Sequence, residues 1–297
     1  MAAGTVCAAQ VVPGTGKKVK NVGDDFEDEG WTYTLNSPKS TRNIDERERT
    51  PSGESENERW YEGMKRGHPD IIRRIQTPEN GLPGSKGSLL LRSLWTGIPG
   101  RPSYHTQQDD FIADVNYRLG TTIPVDRTPS VVVRVFLPPV DTWENRSGAH
   151  FGFRTSLTTT VTKPPRGILF SSSRQEDETY WTGMFIEFQS KTDGSEHDYA
   201  YWRLRADQNG NDFRSKQITT TGWWTIGVSH TPDGMVHYYA SPGVDDLTAE
   251  DHLASHYPYG YRAEYFKTFF FNVCNGDDGK TWSTPWVVDD PTLYVLR

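Results

Sequence analysis

Three segments decide how this chain is read: His150-Phe-Gly-Phe-Arg-Thr-Ser-Leu157, Met184-Phe-Ile-Glu-Phe-Gln189 and Tyr201-Trp-Arg-Leu-Arg205. Each alternates apolar and polar residues with a period of two, the spacing at which successive side chains of a β-strand point to opposite faces. One face then carries Phe151, Phe153, Met184, Ile186, Phe188, Trp202 and Leu204, a set suited to a core. The other carries His150, Arg154, Glu187, Gln189, Arg203 and Arg205. A face of that composition is either solvated sheet with cross-strand ion pairs or the floor of a polar groove.

Working outward, the same patterning predicts further strands. Ser130-Val-Val-Val-Arg-Val-Phe-Leu137 is β-branched and stopped by Pro138-Pro139. Ser88–Leu94, Phe111–Tyr117, Gly222–Ser229, Gly234–Ala240, Lys267–Val273 and Pro285–Val295 follow, the last broken by Pro291. Pro232-Asp233-Gly234 and the Asp207–Asp212 run have turn composition, and Thr248 to His256 reads as one short helix. Many short strands without βαβ alternation predict an all-β, antiparallel two-sheet jelly-roll sandwich, with one or two short helices in insertions.

Composition agrees. Of 297 residues, 34% are hydrophobic and 12% aromatic, with ten Trp and fourteen Tyr, which favours β-rich structure over a helical bundle. A net charge of -7 without a clustered basic field argues against nucleic acid as a partner. No apolar run reaches the length of a transmembrane helix. With only Cys7 and Cys274 there is no disulfide framework, and Cys274 reads as a buried thiol on a strand.

Residues 1–22 read as a leader: Val6-Cys-Ala-Ala9 has the small residues of a secretory cleavage site, and 10–22 is Gly- and Lys-rich. A single domain is expected over 23–297. Within it, 38–86 reads as an insertion with helical pieces at Glu56–Arg66 and Asp70–Ile75, whose Trp60, Tyr61 and His68 are candidates to wall a cleft.

Three features carry a family resemblance: Asp25-Phe-Glu27 before Gly30-Trp31, the run Gly222-Trp-Trp-Thr-Ile-Gly-Val228 followed by Asp233-Gly-Met-Val-His-Tyr-Tyr239, and the closing Val288-Asp-Asp-Pro-Thr-Leu-Tyr-Val295. The chain resembles the concanavalin A-like lectin/glucanase superfamily, which includes laminin G-like modules, β-glucanases and polysaccharide lyases. Asn145–Arg154 and Gly183–Gln189 are similar to the paired strands of 3-keto-glycoside hydrolase-like domains, with Arg146 interrupting the first motif. The β-glucanase pattern Glu-x-Asp-x-x-Glu is absent, since Glu187 is followed by Phe188, Gln189 and Ser190, which counts against hydrolysis by paired carboxylates. The resemblance implies a structural Ca2+ tying the first strand to the last, with Glu27, Asp28 and Asp290 as its ligands.

The polar face is the candidate site. Arginine forks grip carboxylates and sulfates, so Arg154, Arg203 and Arg205, with Gln189, are expected to bind substrate, and Trp223 to offer a stacking surface. Glu187 is the candidate base, and His150 or Tyr238 the candidate acid. The reading is a secreted, periplasmic or envelope protein that grips a polysaccharide or glycoside on one sheet face, with or without cleaving it by hydrolysis or elimination. A non-catalytic laminin G-like recognition module and a structural envelope protein are the alternatives. An enzyme is expected to wall its groove with the 38–86 insertion and the 241–264 loop.

Overall fold

Residues that alternate in sequence alternate across a pleated sheet in the computed structural model, which describes residues 11–164, 173–205 and 207–296. In chain order the strands are β1 (Lys17–Gly23), β2 (Tyr33–Thr34), β3 (Glu54–Ser55), β4 (Trp60–Glu62), β5 (Ile71–Gln76), β6 (Gly87–Arg92), β7 (Gln107–Ala113), β8 (Ile123–Pro124), β9 (Ser130–Leu137), β10 (Gly148–Lys163), β11 (Arg174–Gln189), β12 (Tyr199–Arg205), β13 (Asp212–Ile218), β14 (Gly222–His230), β15 (Val236–Pro242), β16 (His252–His256), β17 (Tyr265–Asn275) and β18 (Trp286–Val295).

They form two antiparallel sheets, and the fold is the expected all-β jelly-roll sandwich. One sheet runs β16-β15-β14-β9-β18-β6-β5, with β1 also paired to β18. The other runs β13-β12-β11-β10-β17-β7-β4-β3-β2, with β8 also paired to β17. Between the sheets lies one continuous core. Trp202 of one sheet meets Trp224 of the other at 5.6 Å between ring centroids, and Phe151 meets Trp286 at 5.2 Å. Phe153, Met184, Ile186 and Leu204, all assigned inward by the alternation, are fully buried. Each such side chain contributes about 1.5–3 kcal/mol, so these seams fix which face of β10, β11 and β12 is left to point outward.

Several segments differ from the expectation. Part of the predicted leader is β1, whose Lys17 and Lys18 pair with Val295 and Tyr294. Exposed lysines are what an edge segment uses to discourage further pairing, so this strand lacks an apolar signature. Gly23 closes it at φ +76°, where a Cβ would sit 1.8 Å from the Pro291 carbonyl oxygen. The cleavage-site motif at 6–9 lies outside the described residues.

The predicted helix over 248–256 is a single 3-10 turn, Ala249–Asp251, held by a Thr248/Asp251 capping box. The chain then enters β16, where His256 pairs with Val236 and Ala254 with Tyr238. The start signal was sound, but pairing with a neighbouring strand overrides weak helix propensity. Likewise the 38–86 insertion holds only one helical turn, α1 (Arg42–Asp45), and its supposed helices are β4 and β5. Trp60 is drawn into the core, stacked 4.5 Å from Phe111, and His68 is buried too, so neither lines the groove described below.

Candidate functional site

The outward face of β7, β17, β10, β11 and β12 is ordered by the strand register into rows. One row runs Phe270, Arg154, Gly183, Arg205 and Asp212. The next runs Asp110, Asn272, Gly152, Phe185 and Arg203. Each row contains one glycine beside a large side chain, and the spacing requires it. A Cβ on Gly183 would lie 2.6 Å from Arg154 Cγ, and one on Gly152 would lie 2.8 Å from Phe185 Cδ1. The two glycines thus make room for Arg154 and Phe185 to lie across the sheet instead of standing off it.

Phe185 becomes the hub of the face. The guanidinium carbons of Arg203, Arg154 and Arg205 lie 5.1, 5.6 and 5.7 Å from its ring centroid, and Arg154 also lies 5.3 Å from Phe270. Cations held over aromatic faces in this way are attracted by the ring quadrupole. Two adjoining recesses of about 210 and 150 Å³ open here and share Arg66, Arg154 and Arg205. The insertion contributes Asn43, Lys65 and Arg66 to their walls, and the segment after β16 contributes Tyr259. Lys65 Nζ lies 4.0 Å over the Trp181 ring, closing one side.

The arginines differ in how they are neutralised. Arg205 donates to both oxygens of Asp212, at 2.7 and 3.2 Å, and Asp212 holds its pKa above the ordinary value. Arg203 pairs with Glu187 and, at 3.2 Å, with Asp212. Arg154 is 5% exposed and, among the described residues, donates only to the Trp181 carbonyl, at 3.3 Å, with no partner for its Nε. Burial, reinforced by the nearby Arg205 charge, lowers its pKa to about 10. Asp110 lies on the same face and accepts from Asn272 Nδ2 at 2.6 Å and Gln108 Nε2 at 3.1 Å. Burial raises its pKa, against the pull of Arg66.

Of the expected site residues, Arg154, Glu187, Arg203 and Arg205 share this face. Glu187 is engaged, accepting from the Tyr201 hydroxyl at 2.7 Å as well as pairing with Arg203. Gln189 is on the same side of β11 but at its end, where it donates to Ser147 Oγ at 2.7 Å.

Three others lie elsewhere. His150 does not share the face: the register shifts between Ala149 and Phe151, and this bulge turns the imidazole inward. There it contacts Thr284 Oγ1 at 3.0 Å and the Arg146 carbonyl at 3.1 Å, and burial lowers its pKa to about 3. Tyr238 belongs to the opposite sheet and points into the core, where its hydroxyl donates to the Arg205 carbonyl at 3.0 Å and burial raises its pKa. Trp223 is also in the opposite sheet and is 5% exposed, its indole N–H reaching the Glu79 carbonyl at 3.2 Å. It offers no surface to this groove.

The three carboxylates implied for Ca2+ serve other partners. Glu27 accepts from the backbone of Lys86 and Gly87 at 2.9 and 3.2 Å. Asp28 accepts from Gly30 within its own turn, and Asp290 lies 3.5 Å from Lys18 and 3.6 Å from Arg134. Two cations thus lie beside the Asp290 carboxylate. Cys274 is buried on β17 at the edge of the groove, with its thiol pKa pushed up to about 11 by burial.

No family model matches the sequence, and no curated protein matches it significantly. Among solved structures, the chain is similar to a GH131 β-glucanase catalytic domain from Podospora anserina, at 9% identity over 75% of this chain and 78% of that one, with a TM-score of 0.39. It is similar to an alginate lyase from Pseudomonas aeruginosa at 6% identity, over 76% and 86% of the two chains, with a TM-score of 0.39. It is also similar to a carbohydrate-binding module from Caldicellulosiruptor saccharolyticus, solved with mannohexaose, at 11% identity over 77% and 84%, with a TM-score of 0.31.

Proposed function

We propose that this protein is a carbohydrate-active jelly roll of the concanavalin A-like kind, which grips a polysaccharide or glycoside along the groove centred on Phe185. The observation that carries the reading is the construction of the floor. Guanidinium groups pack over the buried Phe185 and Phe270 and present their donors to the recesses, with Trp181 and Tyr259 at the margin. A sugar ring has an apolar C–H face and a polar rim, and the half-buried Trp181 and Tyr259 beside guanidinium donors match both.

The groove is walled on two sides, by Lys65 and Arg66 from the insertion and by Tyr259 from the segment after β16. That enclosure supports a protein that processes its ligand over one that only displays a sheet face. Cleavage by paired carboxylates has little support, because Glu187 is held by Arg203 and Tyr201, and Asp110 by Asn272 and Gln108. Action outside the cytoplasm, in the envelope or medium, follows from the polymeric ligand.

The test is incubation of the intact chain with a panel of polysaccharides, followed by ultraviolet absorbance and by reducing-end assay. New absorbance identifies elimination, and reducing ends without absorbance identify hydrolysis. Retention on a glycan without either product identifies a recognition module. Failure to retain or alter any glycan contradicts the proposal.

A further inference from the structure

We infer that the groove selects an acidic polysaccharide, one whose sugar units carry carboxylate or sulfate groups, and that Arg154 is the seat of one such group. The inference rests on the carbohydrate reading above and narrows its ligand. It begins from an unbalanced charge. Five cationic side chains, Lys65, Arg66, Arg154, Arg203 and Arg205, line the two recesses. Against them stand three carboxylates: Glu187 and Asp212, which are committed to Arg203 and Arg205, and Asp110, which accepts from Asn272 and Gln108.

Arg154 is the centre of that imbalance. A buried cation is expensive unless it is paired and hydrogen-bonded, and Arg154 has neither a carboxylate partner among the described residues nor a partner for Nε. It lines both recesses, so its under-bonded guanidinium borders the space a ligand occupies. A carboxylate or sulfate there restores the missing hydrogen bonds with charge assistance, whereas a sugar hydroxyl restores a hydrogen bond but leaves the charge unbalanced. Arg66 and Arg205 also border both recesses, so anions on neighbouring sugar units meet a continuous run of cations. Recognition of a polymer with that repeating charge follows from the geometry of one sheet face, in a chain whose overall charge is negative.

The experiment is calorimetric titration of the full chain with four probes at low and high salt: polygalacturonate for carboxylate, a sulfated galactan for sulfate, a neutral β-glucan, and single-stranded DNA. Binding to one or both acidic glycans, weakened by salt and absent for neutral glucan, is expected, and the two acidic arms distinguish carboxylate from sulfate. Arg154→Lys retains charge but loses the fork, and is expected to weaken binding by about tenfold to a hundredfold. Arg66→Ala, on the groove wall, is expected to weaken it several-fold and serves if the Arg154 variant does not fold. Equal binding of neutral glucan, or indifference to both variants, overturns the acidic class while leaving the carbohydrate reading intact. Binding of DNA alone overturns both, and so does binding of no glycan.

Discussion

Lys39 fastens the insertion that walls the groove, and replacing it with Met is expected to destabilise the protein severely. Its Nζ donates to Asp109 Oδ2 at 2.7 Å, Asp70 Oδ1 at 2.8 Å and the His68 carbonyl at 3.0 Å. Burial opposes its charge, but the two aspartates together hold its pKa above the ordinary value. Asp109 is completely buried and, among the described residues, otherwise accepts only from Ser93 Oγ, at 2.6 Å. Lys39→Met therefore strands a carboxylate in the interior, a change that typically costs about 3–5 kcal/mol. At about 2 °C per kcal/mol for a chain of this size, the melting temperature should fall by roughly 6–10 °C. The assay is thermal unfolding by circular dichroism at neutral pH, with the double variant Lys39→Met/Asp109→Asn alongside it. Removing both charges should recover a large part of the loss, because most of the penalty belongs to the stranded carboxylate. A Lys39→Met protein melting within about 2 °C of the parent refutes the reasoning, as does a double variant no more stable than the single one.

Other expectations concern the groove and pH. Gly183→Val puts a branched side chain where even a Cβ would approach Arg154 Cγ at 2.6 Å, so the folded variant should lose acidic-glycan binding, at a stability cost of about 1–3 kcal/mol; unchanged affinity in calorimetry contradicts this. Asp110→Asn removes a negative charge from the groove and should tighten acidic-glycan binding at neutral pH by roughly twofold to tenfold. In the parent, affinity should fall as pH rises through the elevated Asp110 pKa, and a pH profile unchanged by the substitution argues against it. Burial raises Asp289 to about 6, against the hydrogen bond from Ser85, so folding favours its protonated form. Its contribution is fully present below the ordinary aspartate pKa and is lost as pH rises through about 6, a change of roughly 2–3 kcal/mol. Asp289→Asn should flatten the urea-midpoint profile between about pH 4 and 7, and a parallel profile counts against the assignment.

The alternation at 150–157, 184–189 and 201–205 makes the sheet and the partition of its faces legible in the sequence. Phe153, Met184, Ile186 and Leu204 point inward, and Arg154, Glu187, Arg203 and Arg205 point outward, as a period of two requires. His150 was misplaced because the bulge at 149–151 adds a residue that no periodicity encodes. Tyr238 and Trp223 were misplaced for a different reason: alternation assigns a face within a strand but not the sheet to which the strand belongs. The role of Asp110 and Gln108 was hidden because β7 begins with four polar residues, Gln107-Gln-Asp-Asp110, and carries little strand signal. Lys65 and Arg66 reach the groove from an irregular segment, whose course depends on buried pairs such as Lys39 with Asp109. The Lys-rich β1 was obscured because the charges that protect an edge also erase its apolar signature.

The central claim is that the outward face of β10, β11 and β12 holds an acidic saccharide. Its most direct measurement is a crystal structure of the intact chain soaked with a galacturonate oligomer. A sugar ring against Trp181 or Tyr259 and a carboxylate within hydrogen-bond distance of the Arg154 guanidinium are expected. An oligomer bound only on the opposite sheet, or a groove left empty in a crystal whose protein binds the same oligomer in solution, contradicts it.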